Sequence, residues 1–449
     1  MSQNRVSNSR SVAFLTLGCK VNSYETEAMQ KLFEDAGFQV VDFNSHADVY
    51  VINTCTVTNI ADRKSRQMLH KARKMNKNAT VVAVGCYVQA AKEALEQDEA
   101  IDIVIGNNRK NEIIQILEEH RDGKETAISA VVDMSQENEF EMLSIDSVSE
   151  KTRAYIKIQD GCNQFCSYCI IPYMRGRVRS REEASIVTEV EQLVHNGYKE
   201  IVLTGIHLSS YGIERAENEG KPALLQIIVR LSQIGGLERI RLGSLEPRII
   251  TEEFVKTLSG NTKFCPHFHL SLQSGCDATL ERMNRRYTTK EYYEKCELLR
   301  KYFVNPAITT DVIVGFPGET EEEFNETYGF LRKVSFSQMH IFKYSVRKGT
   351  KAENMPNQVK DEVKTARSNT LISLEKEMAQ EYKTLYIGNV ENVLIEESIT
   401  IDGQTYQIGH NERYLKIAVQ SDIDLSNKIM KVKITADLNK EILFCEIMD

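Results

Sequence analysis

The sequence predicts an α/β fold in three parts: a parallel-sheet domain, a partial (β/α)6 barrel and a small closed β-barrel at the C-terminus. Two observations carry this. Apolar runs of strand length alternate with amphipathic stretches through residues 11 to about 350, and after one more helix only short strands follow. Alternating strands and helices imply parallel sheets with helical crossovers, whereas short strands in succession imply a barrel. The 449 residues suffice for two or three domains, each with its own core.

The first domain, residues 1–135, is expected to be Rossmann-like. Its strands are "VAFLTLG", "DVYVINT", "TVVAVG" and "IDIVIG", separated by amphipathic stretches such as "SYETEAMQKLFEDAGF" and "NEIIQILEEHRDG". Residues 136–151, polar and acidic without a sustained period, read as a linker. The second domain, 152–375, repeats strand then helix, with strands "AYIKIQD", "EIVLTGIHL", "RIRLGSLEP", "HFHLSLQSG", "ITTDVIVGF" and "QMHIFKYSV". In such barrels the reactive groups gather at the C-terminal ends of the strands. The third domain, 376–449, begins within the charged helix "KDEVKTARSNTLISLEKEMAQEYKTLYIG" and continues as five short strands.

Composition narrows the class. A 41% apolar and 27% charged chain is an ordinary globular protein. No run of about 18 apolar residues is present, and the polar start lacks the apolar core of a secretory signal, so a cytoplasmic location is expected. In a reducing compartment ten cysteines read better as metal ligands or catalytic groups than as disulfides. The net charge of −8 argues mildly against general nucleic-acid binding, although its distribution is uneven.

Cys162, Cys166 and Cys169 form C-x3-C-x2-C directly after the first barrel strand. Four thiolates close a structural zinc or iron–sulfur site; three can hold a cubic four-iron cluster and leave one iron open for chemistry. A zinc site completed by a distant histidine, such as His195 or His207, is the competing reading. The spacing, in its β/α context, is similar to that of the radical S-adenosylmethionine enzymes. That resemblance implies that S-adenosylmethionine chelates the open iron and is cleaved to a 5′-deoxyadenosyl radical. It places Tyr168 against the adenine, and Thr204, Gly205, Ser244, Glu246, Gln273 and Gly315 around the cofactor. The second-strand motif is TGI here rather than the common GGE, which shifts the amino-group contact towards backbone carbonyls. Ordinary turn chemistry after a strand is the alternative for these polar residues.

Cys19, Cys55 and Cys86 each terminate a predicted parallel strand, so they can converge at one sheet edge despite their separation. A single such cysteine would read as a small buried hydrophobe. With "LTLGCKVNSYETEA", "VINTCTVTN" and "VVAVGCYVQ", the chain resembles the methylthiotransferases almost end to end, including the terminal TRAM barrel. Within that family "TLGCKVNSYETEAM" and "NTCTVTNIADRKSRQ" are most similar to the enzymes acting on N6-threonylcarbamoyladenosine of tRNA. The resemblance implies two [4Fe-4S] clusters, S-adenosylmethionine and a low-potential electron donor. The reaction it implies replaces the hydrogen on C2 of adenosine 37, beside the anticodon, by a methylthio group. The same chemistry on isopentenyladenosine or on a ribosomal protein aspartate, and a non-catalytic metal-containing RNA-binding protein, are the alternatives.

Two basic runs follow cysteine-bearing strands and are expected to meet phosphates: Arg175, Arg177, Arg179 and Arg181, and residues 61–78, which include Lys71 and Arg73. The latter run holds seven Lys or Arg against one Asp. From residue 386 onward the chain carries 6 basic and 11 acidic residues, so the last barrel either binds RNA through a local patch (His410, Arg413, Tyr414, Lys416) or serves for packing. Cys265, Cys276, Cys296 and Cys445 have no assigned role.

Overall fold

The computed structural model describes residues 10–123, 128–145, 152–215 and 222–448. Its N-terminal sheet is parallel throughout. The strands are β1 (Ser11–Thr16), β2 (Gln39–Val41), β3 (Val49–Thr54), β4 (Thr80–Gly85), β5 (Ile103–Ile105) and β6 (Ile128–Ala130), in the order β2-β1-β3-β4-β5-β6. Alternate residues pack on opposite faces, Tyr50 and Ile52 on one and Val49 and Val51 on the other. Both faces are covered, which is why these strands read as unbroken apolar runs. The three-residue edge strands β2 and β6 are too short to show a period and were not foreseen. Two long helices, α1 (Lys20–Asp35) and α2 (Asn59–Met75), and the short α3 (Cys86–Ala90) start at the C-terminal strand ends.

The expected linker is, in its described part, a packed strap; 146–151 lie outside the described residues. Leu143 and Ile145 are buried in the largest core, and Tyr24 donates to the Leu143 carbonyl at 2.5 Å.

The second unit comprises β7 (Arg153–Asp160), β8 (Arg179–Ser180), β9 (Glu200–Gly205), β10 (Arg239–Leu242), β11 (His267–His269), β12 (Ala307–Val314) and β13 (Gln338–Lys343). One sheet runs β10-β9-β7-β8 and another β11-β12-β13, joined by parallel bridges at Ile240–Phe264 and Leu245–Leu270. All but β8 are parallel neighbours, so the wall is an open barrel with its gap between β13 and the β7–β8 edge. On β7, Ala154, Ile156 and Ile158 pack outward on the helices, leaving Tyr155 and Lys157 on the other face.

The C-terminal strands β14 (Val390–Ile401), β15 (Gln404–Asn411), β16 (Lys416–Gln420), β17 (Ile429–Asp437) and β18 (Leu443–Ile447) close as β14-β15-β16-β18-β17. This small barrel docks on the N-terminal ends of the larger barrel's strands, away from the cysteines. Tyr414, at φ 68°, stacks on His267 and His410, with the guanidinium groups of Arg153 and Arg241 each 4.9 Å from its ring. Arg239 donates to the carbonyls of His410 and Asn392, and Arg241 to those of Glu412 and Asn411. Arg413 donates to the Val304 and Asn305 carbonyls. His410, Arg413 and Tyr414 therefore pack rather than form an RNA patch, and Lys416 faces Glu397 at 3.7 Å.

Glu200 anchors this junction. Burial alone would raise its carboxyl, but Arg241, then Arg153 and Arg239, hold it down to about 2. A depressed carboxyl stabilises the fold fully above its ordinary 4.5 and loses that contribution as pH falls towards about 2. Arg241→Met, which strips Glu200 of its closest partner at 2.8 Å, is expected to cost about 3 kcal/mol. Urea unfolding at pH 7 measures this; an unchanged midpoint would show that the pair contributes nothing.

Candidate metal centres

Cys19, Cys55 and Cys86 lie at the C-terminal ends of β1, β3 and β4, three strands adjacent in the sheet. Cys19 is the residue before α1, Cys55 follows β3 directly, and Cys86 opens α3. The three are near enough for the charge on each to act on its neighbours. Asn22, one helical turn past Cys19, ties the edge together. Its amide donates to the carbonyls of Leu17 at 2.7 Å and Thr54 at 3.1 Å, and its oxygen lies 3.6 Å from the Cys19 sulfur.

The second trio sits in the loop after β7. Gly161, immediately before Cys162, has φ 71°, and a Cβ there would lie 1.8 Å from the Arg177 carbonyl oxygen, so only glycine fits. The loop is pinned by Cys162 N–H donating to Gly176 O at 3.0 Å and Cys169 N–H to Cys166 O at 2.9 Å. Arg285, which no local motif singles out, donates from Nη1 to the Cys166 sulfur at 3.3 Å.

Arg175, six residues beyond Cys169, links the second cysteine loop to the first trio. Its Nε donates to the Cys86 sulfur at 3.3 Å, and Nη2 to Asn22 Oδ1 at 2.9 Å. Its Nη1 reaches Glu25 at 2.8 Å and Asp160 at 3.2 Å. Lys157 bonds the same two carboxylates at 2.8 and 2.6 Å, and Lys110 lies 3.4 Å from Glu25 and 3.6 Å from Glu141. All six groups are buried. Burial would raise Glu25, but Arg175, Lys110 and Lys157 outweigh it and hold the carboxyl well below its usual range.

Enclosure by protein pushes unligated thiols up: Cys55 and Cys162 to about 11, Cys169 to about 12. Thiolates are therefore costly here without a metal, and loading one releases protons. Among the described residues, no set of three His, Cys, Asp or Glu ligand atoms that includes a cysteine sulfur lies within 4.8 Å of one another. Two sulfurs on one zinc, each at about 2.3 Å, are at most about 4.6 Å apart. Neither trio is drawn in to the spacing of a single zinc, and three thiols with no fourth ligand are the donor set of an open four-iron cluster. His195 lines a groove of about 530 Å³ with Val187, Arg230 and Gln233, and His207 Nδ1 pairs with Ser210 Oγ at 2.7 Å.

The other expected cofactor residues share the rim of the barrel. Tyr168 meets Phe316 edge-on at 6.3 Å. Thr204 and Gly205 end β9, Ser244 and Glu246 follow β10, Gln273 follows β11 at φ 75°, and Gly315 follows β12 at φ 71°. Glu246 accepts from Arg248 at 2.8 Å.

The basic runs are divided by burial. Arg175, Arg179 and Arg181 are internal: Arg179 bonds the Arg177 carbonyl, and Arg181 pairs with Glu189 and donates to Tyr24. None of the three reaches a phosphate, so that expectation is corrected. Arg73 is tied to Asp102 and the Ala79 carbonyl. Arg177 and Lys71 are exposed, and α2 adds Arg63, Arg66 and Lys74 around a groove of about 490 Å³.

The chain matches the Radical SAM superfamily over residues 156–331 and the Uncharacterized protein family UPF0004 over residues 11–106. It is 41% identical to the threonylcarbamoyladenosine tRNA methylthiotransferase of Bacillus subtilis, over 94% of this chain and 93% of that protein. The Aquifex aeolicus protein of the same name is 40% identical, over 90% and 98%. The tRNA-2-methylthio-N(6)-dimethylallyladenosine synthase of Finegoldia magna is 34% identical, over 99% and 96%. In fold, the chain is similar to the radical S-adenosylmethionine methyltransferase TsrM of Kitasatospora setae, with TM-score 0.58 over 77% of each chain at 18% identity.

Two loaded cubanes give about eight irons per chain. Arg175→Met, which leaves Glu25 and Asp160 short of a cation and the Cys86 sulfur without its donor, is expected to cut bound iron by about half, as will Cys86→Ala. Iron and sulfide counting after anaerobic reconstitution measures this, and full iron in Arg175→Met would contradict it.

Proposed function

The chain belongs to the radical S-adenosylmethionine methylthiotransferase family, and from that premise we propose that it converts N6-threonylcarbamoyladenosine at position 37 of tRNA to its 2-methylthio derivative. The observation that carries this reading is Arg175, which follows the loop of the second cysteine trio and donates to the Cys86 sulfur of the first. One three-thiolate centre would suit many radical enzymes; two beside one rim suit a reaction that both removes hydrogen and delivers sulfur. The threonylcarbamoyladenosine relatives at 41% and 40% identity support this substrate over dimethylallyladenosine.

Cys162, Cys166 and Cys169 would hold one [4Fe-4S] cluster and Cys19, Cys55 and Cys86 the other. Bound there, the clusters and S-adenosylmethionine supply radical removal of hydrogen from an unactivated C–H bond and sulfur in its place, chemistry beyond any side-chain acid or base. The protein's own part is electrostatic and positional. Arg175 and Arg285 donate to Cys86 and Cys166 and offset the negative charge of ligated thiolates. The residues of the strand ends, Tyr168, Thr204, Gly205, Ser244, Glu246, Gln273 and Gly315, shape the pocket for S-adenosylmethionine. Arg177, Lys71 and the exposed cations of α2 meet RNA phosphates. A low-potential electron donor completes the reaction. Among the described residues no helix is long and apolar enough to cross a membrane, and we place the enzyme in the cytoplasm with its substrate.

The test is anaerobic turnover of reconstituted protein on tRNA bearing threonylcarbamoyladenosine, read by nucleoside mass spectrometry. Wild type is expected to form the 2-methylthio nucleoside and Cys162→Ala none. Product only on isopentenylated tRNA or on a ribosomal protein would replace this reading by its sibling. Zinc without absorption near 400 nm, about where iron–sulfur charge transfer falls, would end it.

A further inference from the structure

The inner wall of the barrel carries polar groups that neither cysteine trio uses. His269 on β11, Asp311 on β12 and His340 on β13 bring their side-chain heteroatoms within 4.8 Å of one another. Asp311 and His340 are register partners, and His269 Nε2 lies 3.2 Å from Asp311 Oδ2 while its Nδ1 meets Thr309 Oγ1 at 2.9 Å. Both ring nitrogens of His269 are thus engaged within the protein, which makes the set a hydrogen-bonding group rather than a vacant metal site. The wall beside it is open. Gln338, His340 and Phe342 are exposed on this face of β13, whereas Met339 on the other face is buried.

Lys20 stands across the gap. It follows Cys19 and opens α1, and its ammonium lies 5.9 Å from the ring centroid of Tyr155 on β7. Its charge reaches His340 and His267. Among the described residues no carboxylate is within ion-pair distance of it. A cation at the first position of a helix opposes the helix dipole, and the repulsion of Arg241 and Arg153 behind it is only partly offset by Glu200. Lys20 therefore works against the stability of the empty protein, and an anion beside it would relieve that cost.

We propose that Lys20, His340 and the His269–Asp311 pair form the subsite for the substituent on N6 of the substrate adenosine, with Lys20 taking a carboxylate and Asp311 an N–H or O–H donor. This rests on the reading that the substituent is threonylcarbamoyl, which presents a carboxylate, a hydroxyl and a ureido group. Lys20 is covalently next to Cys19, so the subsite adjoins the N-terminal trio, as a substituent on the same purine ring as the reacting carbon requires. An isopentenyl arm offers no polar partner and would leave Lys20 desolvated and unpaired and Asp311 with its His269 partner alone, which is a basis for rejecting it.

The experiment compares reconstituted wild type, Lys20→Met, Lys20→Arg and His340→Phe on tRNA bearing threonylcarbamoyladenosine and on tRNA bearing isopentenyladenosine. Bound iron and the Kd for each tRNA are measured alongside. Lys20→Met is expected to lower kcat/KM on the threonylcarbamoylated tRNA by about tenfold or more, chiefly through KM, and to narrow the preference over the isopentenylated one. Lys20→Arg, which keeps the charge, is expected to restore most of it. Unchanged preference in iron-replete Lys20→Met and His340→Phe would overturn the proposal. Should Lys20→Met fail to load iron beside Cys19, His340→Phe, on a strand without cysteine, decides alone. A wild type that acts on isopentenylated tRNA alone overturns the substrate reading itself, and the wild-type arm shows that before any variant is compared.

Discussion

Six buried charges hold the two cysteine-bearing units in one orientation. Arg175, Lys157 and Lys110 face Glu25, Asp160 and Glu141, three cations against three anions, drawn from both units and the strap between them. Burying charge is expensive, and the expense is offset only when every member is paired with good geometry. The network therefore tolerates one arrangement, and that arrangement puts the guanidinium of Arg175 on the Cys86 sulfur. A planar guanidinium with donors on three nitrogens can serve two carboxylates, an amide and a sulfur at once, which a lysine at this position could not do.

The same economy recurs at the other junctions. Arg347 spans Asn59, Asp62 and Thr56 and fixes the start of α2 beside Cys55. Arg153, Arg239 and Arg241 fasten the C-terminal barrel, mostly by donating to backbone carbonyls. Arginine thus acts as mortar between units, and the cations left for solvent are fewer than their number in the chain implies. In a protein of net charge −8, α2 still presents Arg63, Lys64, Arg66, Lys71 and Lys74 to solvent, and Arg177 lies exposed beyond the second cysteine loop. At the far end of the barrel Tyr414 packs against Arg153 and Arg241, and Lys20 lies beside Tyr155 of β7.

Strand runs and cysteine positions were legible in the sequence because they depend on local rules. A doubly covered parallel strand is an apolar run, a cysteine just past it lies at the sheet edge, and parallel neighbours carry their ends to the same side. The three-cysteine loop, the five terminal strands and the matching with a known family followed from such features. Arg175, Arg179 and Arg181 were misread because alternating arginines after a loop look the same whether they face water or carboxylates supplied from far along the chain, such as Glu25 and Glu189. Arg285 was missed for the converse reason: nothing near it in sequence announces a sulfur 119 positions away.

By itself, then, the sequence determined the three-part architecture and the strand-end positions of the six cysteines, since periodicity and spacing are properties of neighbouring residues, while its resemblance to a known family supplied the class of chemistry. The tertiary structure alone decided which charges are internal, how the trios are joined, and which side chains share the barrel's interior with Lys20. Those depend on long-range pairing, where the partner of a charged group is set by packing of distant segments and leaves no local trace.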